Sequence, residues 1–437
     1  MFSKILIANR GEIAVRIIRA CKEMGIATVA VHSQADKESL HVSLADESVC
    51  VGKALPGESY LRQKDIITAA LLTGAQAVHP GYGFLAENAD FARLCEKNGL
   101  VFIGPSADVI SQMGDKDAAR RLMKNAGVPT VPGTDILISP TQAAKEANRI
   151  GYPVLIKARA GGGGKGIRLV NGPDELENAF LTASEEAKNA FGDGGVYMEK
   201  YLSPVKHIEV QLLADEGGSV VCLGERECSI QKRNQKLLEE APSPAISLAL
   251  REKMCEAAAK AAKAAGYTNA GTVEFLLDDE GNFYFMEMNT RLQVEHPVSE
   301  YVSGVDIVKW QIRIACGVLL NFKQKDVRIT GAAIECRINA KGGGKVSFLH
   351  VPGGPWVRFD TFLYQGYEML PYYDSMMGKL IVYAKTREEA IRKMNSALCE
   401  LVVEGVPNNL DEQLEIISDP DFLAGDYHTD FLAKRGE

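Results

Sequence analysis

Along the first third of the chain, short apolar runs alternate with longer segments in which apolar residues recur at helical spacing. Short apolar runs predict strands, and stretches with an apolar residue every three or four positions predict amphipathic helices. Strands are predicted at 4–8, 27–32, 76–79 and 100–104, and helices at 12–24, 65–72 and 87–97. This alternation is typical of a parallel, doubly wound sheet, which we predict for the N-terminal region.

The pattern changes further along the chain. Two short helices are expected within 106–130, and a small unit with a glycine-rich loop follows them. From Lys206 onward the spacing of apolar runs and turn residues predicts antiparallel hairpins. The predicted fold class is therefore α/β combined with α+β.

Composition narrows the class of protein. The chain has 437 residues, of which 46% are hydrophobic and 24% charged, as in an ordinary globular protein. A net charge of −8 argues against a generally basic nucleic-acid-binding protein, and no run of 18 apolar residues predicts a membrane span. Nine scattered cysteines without a CxxC pair indicate reduced thiols, so we expect a cytoplasmic protein without a zinc ribbon.

The run GGGGKG at 161–166 follows a predicted strand that contains Lys157. A P-loop would continue with Ser or Thr and then a helix, whereas here Gly166 and another predicted strand follow. We interpret the run as a β-hairpin whose glycine tip lets backbone N–H groups fold over phosphates, with Lys157 adding a positive charge. A flexible surface hairpin without a ligand is the alternative.

A second hairpin is predicted around residues 278–281. A two-residue turn at Glu280 and Gly281 would place Glu274 directly opposite Glu287, with Asn289 on the same face. Two facing carboxylates repel each other unless a cation lies between them, and these oxygen ligands suit Mg²⁺ or Mn²⁺. An exposed polar sheet face is the alternative interpretation.

The polar alternation continues beyond Asn289 through Arg291, Gln293 and Glu295, which we predict on one face of the same ribbon. Arg291 and Gln293 could bind a small oxyanion, and Glu295 could act as a general base. The charged run 231–242 is predicted to be a solvated loop. Arg337 lies in a predicted strand. Its side chain could form an ion pair or bind an anion, and the spacing does not distinguish the two.

Several motifs along nearly the whole chain closely resemble the biotin carboxylase family of ATP-grasp enzymes. They are KILIANRGEIA at 4–14, HPGYGFLAEN at 79–88, GDK at 114–116, MEKY at 198–201, QKLLEEAP at 235–242, EMNTRLQVEHP at 287–297 and YDSM at 373–376. The resemblance implies an N-terminal domain (1–113), a helical linker (114–130), a glycine-loop lid (131–203), a catalytic subdomain (204–330) and a C-terminal antiparallel region (331–437).

The resemblance also implies a role for each matching residue. ATP is expected at Lys116, Lys157, Gly162, Gly163, Gly164, Glu199, Lys200, Leu202, His207, Gln231 and Leu276. Two Mg²⁺ or Mn²⁺ ions are expected at Glu274, Glu287 and Asn289, and bicarbonate at Lys236, Arg291, Gln293 and Val294. Biotin is expected at Tyr82, Gly83 and Arg337, and the catalytic residues are expected to be Glu295, Arg291, Arg337 and Lys236. The resemblance thus moves Lys236 from a solvated loop into the site.

The implied activity is the ATP- and bicarbonate-dependent carboxylation of biotin through carboxyphosphate. Biotin would be carried by a separate carrier protein, with carboxyltransferase subunits as further partners in acetyl-CoA carboxylase and thus in fatty-acid synthesis. A carboxylase domain of pyruvate or propionyl-CoA carboxylase, another ATP-grasp ligase and a non-catalytic nucleotide-binding regulator are the alternatives. The implied assembly is a homodimer, and neither nucleic acid nor a membrane is an expected partner.

One segment departs from the family pattern. Where relatives continue Arg-Ile-Asn-Ala with Glu-Asp-Pro and later Pro-Ser-Pro-Gly, this chain has AKGGGK at 340–345. The segment resembles a loop that has been shortened. We expect the Arg337 strand to remain, with an altered biotin site or a weakened dimer.

Overall fold

A computed structural model describes residues 1–159 and 167–436. The predicted glycine loop, including Gly162, Gly163 and Gly164, lies outside these described residues. The contacts divide the chain into two compact units. The first unit contains 1–114, 206–274 and 288–437, and the second contains 115–205 and 275–287.

The N-terminal part of the first unit is a parallel sheet with strand order β3-β2-β1-β4-β5. Its strands are β1 (Lys4–Ile7), β2 (Ala27–Ser33), β3 (Glu47–Gly52), β4 (Ala77–His79) and β5 (Val101–Phe102). Its helices are α1 (Gly11–Glu23), α2 (Leu40–Leu44), α3 (Gln63–Thr73), α4 (Ala89–Lys97) and α5 (Ala107–Gly114). The predicted doubly wound sheet is confirmed.

Both faces of this sheet are buried because α1 packs on one side and α3 and α4 pack on the other. Ile13 and Ile17 of α1 cluster with Ile5 of β1, whereas Ile66 of α3 and Phe91 of α4 cluster with the opposite face. Apolar residues one turn apart thus cover a strand that is apolar throughout, as expected for a parallel sheet.

The second unit contains an antiparallel sheet with strand order β7-β6-β8. Its elements are α6 (Lys116–Asn125), α7 (Pro140–Ile150), β6 (Val154–Ala158), β7 (Ile167–Val170), α8 (Pro173–Phe191) and β8 (Val196–Lys200). Ala143 and Ala147 of α7 cluster with Val154 and Ile156 of β6, so the helix covers one face of the sheet.

The next part of the chain forms an eight-stranded sheet with strand order β13-β12-β9-β10-β11-β14-β19-β17. Its strands are β9 (Lys206–Ala214), β10 (Val220–Lys232), β11 (Gln235–Ala241), β12 (Asn269–Leu277), β13 (Phe283–Asn289), β14 (Ala332–Asn339), β17 (Val357–Thr361) and β19 (Met376–Ala384). This one sheet combines strands from the predicted regions 204–330 and 331–437. The antiparallel prediction is confirmed.

The remaining elements are helices, several of which contact strands of this sheet, and two further two-stranded sheets, β15-β18 and β16-β20. They are α9 (Leu248–Ala264), α10 (His296–Ser303), α11 (Ile307–Ala315), β15 (Gly344–Lys345), β16 (Phe348–His350), β18 (Glu368–Met369), α12 (Arg387–Glu400), β20 (Val402–Glu404), α13 (Leu410–Ser418) and α14 (Pro420–Ala424). Met394 of α12 and Ile334 of β14 belong to the same buried cluster. Within 1–159 and 167–436, no helix is both long and apolar enough to cross a membrane.

Three local predictions are wrong. The turn after β12 holds three residues instead of two, because the Asp278 N–H donates to the Asn282 carbonyl and Gly281 adopts φ +82°. The hairpin register therefore moves by one residue at the turn, which removes the geometric basis for placing Glu274 directly opposite Glu287. The ribbon also ends at Asn289, and Glu295 lies at the N-cap of α10 rather than in a strand.

The third error concerns the run 231–242, which is a hairpin and not a solvated loop. β10 and β11 are joined at Arg233 and Asn234, which have φ +52° and +65°. Two successive residues with positive φ are typical of a type I′ turn. The turn places Lys236 opposite Gln231 in the ladder.

The shortened segment is integrated into the first unit. The Lys341 N–H donates to the Pro407 carbonyl at 2.7 Å, and β15 pairs with β18. Arg337 remains in β14, directly opposite Lys379 of β19, as expected.

Candidate active site

Lys236 of β11 lies among three carboxylates in the first unit. Its ammonium group donates to Glu209, to Glu295 at 2.8 Å and to Glu274 at 3.3 Å. The side chain is only 14% exposed, so its positive charge has little water around it. These ion pairs bring together two sequence-predicted residues, Lys236 and Glu295, that are far apart in the chain.

Glu295 is held between two cations. One carboxylate oxygen accepts from Lys236, and the other accepts from Arg337 at 3.0 Å. Burial alone would raise the pKa of Glu295, but Lys236 and Arg337 outweigh burial and lower it to about 2. Glu295 is therefore an ionised carboxylate at neutral pH.

His207 of β9 faces the same cluster. Its Nε2 lies 2.9 Å from Glu274 and 3.3 Å from Glu209, while Gln231 lies 2.9 Å from its Nδ1. Burial lowers the pKa of His207, but the Glu274 and Glu209 carboxylates outweigh burial and raise it to about 9. Both His207 and Gln231 were predicted at the nucleotide.

Asn289 and Gln293 both donate to Glu274. The Asn289 amide is 2.6 Å and the Gln293 amide 2.8 Å from the same Glu274 oxygen. Arg291 donates to Asn289 at 2.9 Å and to Glu87 at 2.8 Å. The predicted metal ligands Glu274 and Asn289 and the predicted bicarbonate ligands other than Val294 therefore form one hydrogen-bonded group, although they do not share one strand.

Residues missed by sequence reasoning support this group. Arg226 of β10 is fully buried and donates to Glu209 of β9 and to Gln293. It also donates to Gln211 at 2.7 Å. The detectable signal was three consecutive charged residues, 225–227, in the middle of a largely apolar predicted strand, together with alternating Glu209 and Gln211 in the preceding strand.

The residues predicted at biotin lie at two places in the first unit. Arg337 donates to Glu239 at 2.6 Å, in addition to its bond to Glu295. The Tyr82 hydroxyl donates to Glu12, and the adjacent Gly83 is exposed with φ +69°. The Val294 carbonyl accepts from Lys379 at 2.5 Å.

The second unit holds the other predicted nucleotide residues. Lys157 of β6 forms an ion pair with Glu199 of β8, and Lys200 donates to the Gly151 and Tyr152 carbonyls at 3.0 and 2.9 Å. Lys116 lies 4.0 Å from Glu287, and both side chains are exposed. Leu202 and Leu276 are half-buried.

The donor set of the first unit fits a hard divalent cation. Glu274 offers carboxylate oxygens, and Asn289, whose N–H donates to Glu274, offers an amide oxygen that here accepts from Arg291. Ligand atoms of His207, Glu209 and Glu274 lie within 4.8 Å of one another. Mg²⁺ and Mn²⁺ prefer such oxygen ligands. Glu274 is ionised because Lys236 and His207 overcome the effect of burial and hold its pKa well below its usual value.

Family models define the class of protein. Residues 115–323 match the carbamoyl-phosphate synthase L chain ATP-binding domain. Together with the mixed sheets, this match places the chain among the ATP-grasp ligases. Residues 1–110 match the biotin carboxylase N-terminal domain, and 327–434 match the biotin carboxylase C-terminal domain.

Full-length similarity then identifies the family. Biotin carboxylase 1 of Bacillus subtilis is 55% identical over 99% of this chain and 98% of that protein. Biotin carboxylase of Haemophilus influenzae is 52% identical over 100% of this chain and 99% of that protein. A pyruvate carboxylase component of Methanothermobacter thermautotrophicus is 53% identical over 99% of this chain and 90% of that protein. The chain belongs to the biotin carboxylase family, and the family prediction is confirmed.

A solved structure agrees with this assignment. The biotin carboxylase domain dimer of Hydrogenobacter thermophilus 2-oxoglutarate carboxylase, in complex with MgADP, ADP and bicarbonate, has a TM-score of 0.93. It is 50% identical and covers 100% of this chain and 98% of that chain.

Proposed function

We propose that this chain uses ATP and bicarbonate to carboxylate biotin on a carrier protein, as the first half-reaction of acetyl-CoA carboxylase. The observation that carries the proposal is the placement of Glu295 between Lys236 and Arg337. A carboxylate base flanked by two cations suits a reaction that begins with an anion and generates further negative charge.

In this proposal bicarbonate binds beside Lys236, Arg291, Gln293 and the main chain at Val294. An anion at this position shares the cations that now hold Glu295, which raises the pKa of Glu295 toward a value suitable for a base. Glu295 then accepts the bicarbonate proton as a bicarbonate oxygen attacks the γ-phosphorus of ATP. The bond from that phosphorus to the bridging oxygen breaks, giving ADP and carboxyphosphate.

The second step uses Arg337. Carboxyphosphate splits at its C–O bond into carbon dioxide and phosphate, and the phosphate accepts the N1′ proton of biotin. Negative charge then develops on the ureido oxygen, where the guanidinium group of Arg337 stabilises it. The N1′ nitrogen forms the new C–N bond with carbon dioxide, and Tyr82 and Gly83 contact the biotin ring.

The residues proposed to bind ATP are those that the family resemblance implies. They are Lys116, Lys157, Glu199, Lys200, Leu202, His207, Gln231 and Leu276. Glu274, Asn289 and Glu287 are proposed to hold Mg²⁺ or Mn²⁺, which would neutralise phosphate charge during transfer. The glycines 162–164 remain a prediction for phosphate binding.

Dependence on both substrates tests the activity. ADP release is measured with ATP and Mg²⁺, with and without bicarbonate and free biotin. The proposal predicts little release without bicarbonate and stimulation by biotin. Release that does not depend on bicarbonate would indicate another ATP-grasp ligase, and no release would favour a nucleotide-binding regulator.

The acyl acceptor of the complete enzyme is part of the proposal. A biotin carboxylase of pyruvate carboxylase is the second candidate, supported by the 53% identical pyruvate carboxylase component. Reconstitution with a biotinylated carrier and each carboxyltransferase separates the two. Malonyl-CoA formation supports the first assignment, and oxaloacetate formation supports the second.

We also propose that the protein is a cytoplasmic homodimer and that each chain is divided into the five predicted regions. The nine cysteines are free, which fits a reducing compartment. The shortened segment 340–345 is proposed to weaken the dimer or alter the biotin site. Restoring the longer loop then lowers the dimer dissociation constant or the KM for biotin, whereas unchanged values of both would refute this effect.

A further inference from the structure

Lys379 of β19 is a fully buried lysine that no predicted site includes. It lies directly opposite Arg337 of β14 and Asp360 of β17, so these three side chains share one face of the sheet. Asp360 already accepts two bonds from Arg358. The charge of Lys379 is therefore available for other groups on the same face.

The ammonium group of Lys379 contacts two separate parts of the first unit. It donates to the Val294 carbonyl at 2.5 Å, and it lies 3.2 Å from the Oε1 atom of Glu12 in α1. The Val294 carbonyl belongs to the segment that leads directly into Glu295. Lys379 therefore fixes the position of the segment that carries the proposed base.

Glu12 continues the connection. Its Oε1 atom also accepts from the Tyr82 hydroxyl, and the Lys379 ammonium lies 5.9 Å from the centre of the Tyr82 ring. Glu12 is 2% exposed, and its other oxygen has no hydrogen-bond partner among the described residues. A buried carboxylate with so few partners lowers the stability of the fold, so its presence calls for a functional explanation.

Burial and charge show how strongly Glu12 depends on Lys379. Burial raises the pKa of Glu12, and the largest opposing effect comes from the Lys379 charge. The pKa of Glu12 is raised overall, and loss of the Lys379 charge would raise it further and weaken its charge-assisted bonds. The Tyr82 hydroxyl would then donate to a weaker acceptor, and its direction would be held less firmly.

We propose that Lys379 and Glu12 are positioning residues that hold the 293–295 segment and the 81–84 segment in register. The proposal rests on the proposed function, in which the first segment binds bicarbonate and the second contacts biotin. This bridge, formed by Lys379 and Glu12, keeps the two substrates at a fixed separation. Carbon dioxide released at one segment then meets the ureido nitrogen held at the other. Proximity of this kind contributes greatly to the rate of a two-substrate step.

Two variants divide the bridge at different points. Lys379→Met removes both contacts, whereas Glu12→Gln keeps the Lys379 bond to Val294 and weakens the connection to Tyr82. Lys393→Met is the matched control, because Lys393 also donates to two backbone carbonyls, those of Pro355 and Tyr383 at 3.1 and 2.8 Å, and contacts neither segment.

Hydrogen–deuterium exchange tests the bridge without any substrate. Lys379→Met should accelerate amide exchange at least about tenfold in both segments, the equivalent of one decade in a local opening equilibrium. Glu12→Gln should accelerate 81–84 alone, and Lys393→Met should change neither. Acceleration spread evenly over the first unit, or confined to 293–295 in both Lys379→Met and Glu12→Gln, would overturn the proposal.

Kinetics then test its consequence. Lys379→Met should raise the KM for bicarbonate and for biotin and release more ADP per carboxybiotin, whereas Glu12→Gln should raise the KM for biotin alone. Loss of stability with both KM values and the product ratio unchanged would overturn the positioning role. If the unaltered protein does not carboxylate biotin, the proposed function fails, and the exchange result still decides whether the bridge exists.

Discussion

The charged residues of the two units are treated very differently by the fold. In the first unit, Lys236 is 14% exposed and donates to three carboxylates, and Arg226 is fully buried. In the second unit, Lys116 is 55% exposed and lies 4.0 Å from Glu287, itself 40% exposed. The first arrangement is preorganised before any substrate binds, whereas the second is exposed to solvent.

This difference separates stability from binding. A buried charge that loses its partner leaves an uncompensated charge behind, and the fold bears the cost. A solvated ion pair contributes little to the fold, so a ligand can replace it at little cost in stability. Substitutions in the buried cluster around Lys236 should therefore affect both folding and chemistry, and substitution of the exposed Lys116 should affect ligand binding alone.

The largest effect is expected for Glu295→Gln. The amide cannot accept the bicarbonate proton, so kcat for bicarbonate-dependent ADP release should fall by about 10²- to 10⁴-fold. Steady-state ADP release at saturating ATP measures this loss. Glu227→Gln is the control, because Glu227 is also buried in the first unit but accepts from the Ser229 and Ser243 hydroxyls. A loss below tenfold in Glu295→Gln would contradict the assigned base.

Arg226→Met should give the largest loss of stability. It leaves Glu209 buried without one of its cations, and the free energy of unfolding should fall by about 3–5 kcal/mol. Urea unfolding followed by circular dichroism measures the change. Arg93→Met is the control, since Arg93 and both of its partners in the first unit, Asp90 and Asp108, are exposed. Equal losses of unfolding free energy in both variants would show that the buried charge cluster contributes no more to stability than an exposed ion pair.

Glu227 should make stability depend on pH. Burial raises its pKa to about 7, although Ser229 and Lys206 act in the opposite direction. Because the folded state holds this proton more tightly than the unfolded chain, the free energy of unfolding should fall as pH rises from about 4.5 to 7, by about 3 kcal/mol. Glu227→Gln should remove that part of the slope in urea titrations at several pH values. An unchanged dependence of stability on pH would show that a group other than Glu227 is responsible.

The smallest effect on the fold is expected for Lys116→Met. The exposed pair with Glu287 should contribute less than about 1 kcal/mol to unfolding. The KM for ATP should nevertheless rise about tenfold, which corresponds to about 1.4 kcal/mol of binding. Lys124→Met, an exposed lysine on the same helix, should change neither quantity. A fall in stability without a change in KM would reverse the contrast between the two units.

Sequence reasoning succeeded where a short-range pattern determines the structure. The strands and helices of the parallel sheet follow from local periodicity, and the motif from Glu287 to Glu295 led to the family before any coordinates. Sequence reasoning failed where the same amino-acid sequence is compatible with two backbone geometries. Gly281 suits a two-residue and a three-residue turn equally well, and polar alternation continues past Asn289 although the strand ends there.

Long-range partners were the other source of error. Arg226 and Glu209 lie on neighbouring strands, and their pairing depends on the register of β9 and β10, including an irregularity between Cys222 and Glu225. Lys379 meets Val294 and Glu12 only after three distant segments have packed together. No local pattern in the chain reports such meetings, because each residue alone is compatible with an ordinary strand or helix.

The cluster of buried charges around Glu295 is proposed to join bicarbonate to biotin at the expense of ATP. An isotope experiment tests this coupling: ¹⁴C-labelled bicarbonate is supplied with ATP, Mg²⁺ and a biotinylated carrier, and the label retained on the carrier is counted against the ADP formed. We expect retained label that requires ATP and disappears in Glu295→Gln. Substantial ADP formation with no label on the carrier, or label acquired without ATP, would contradict the proposal.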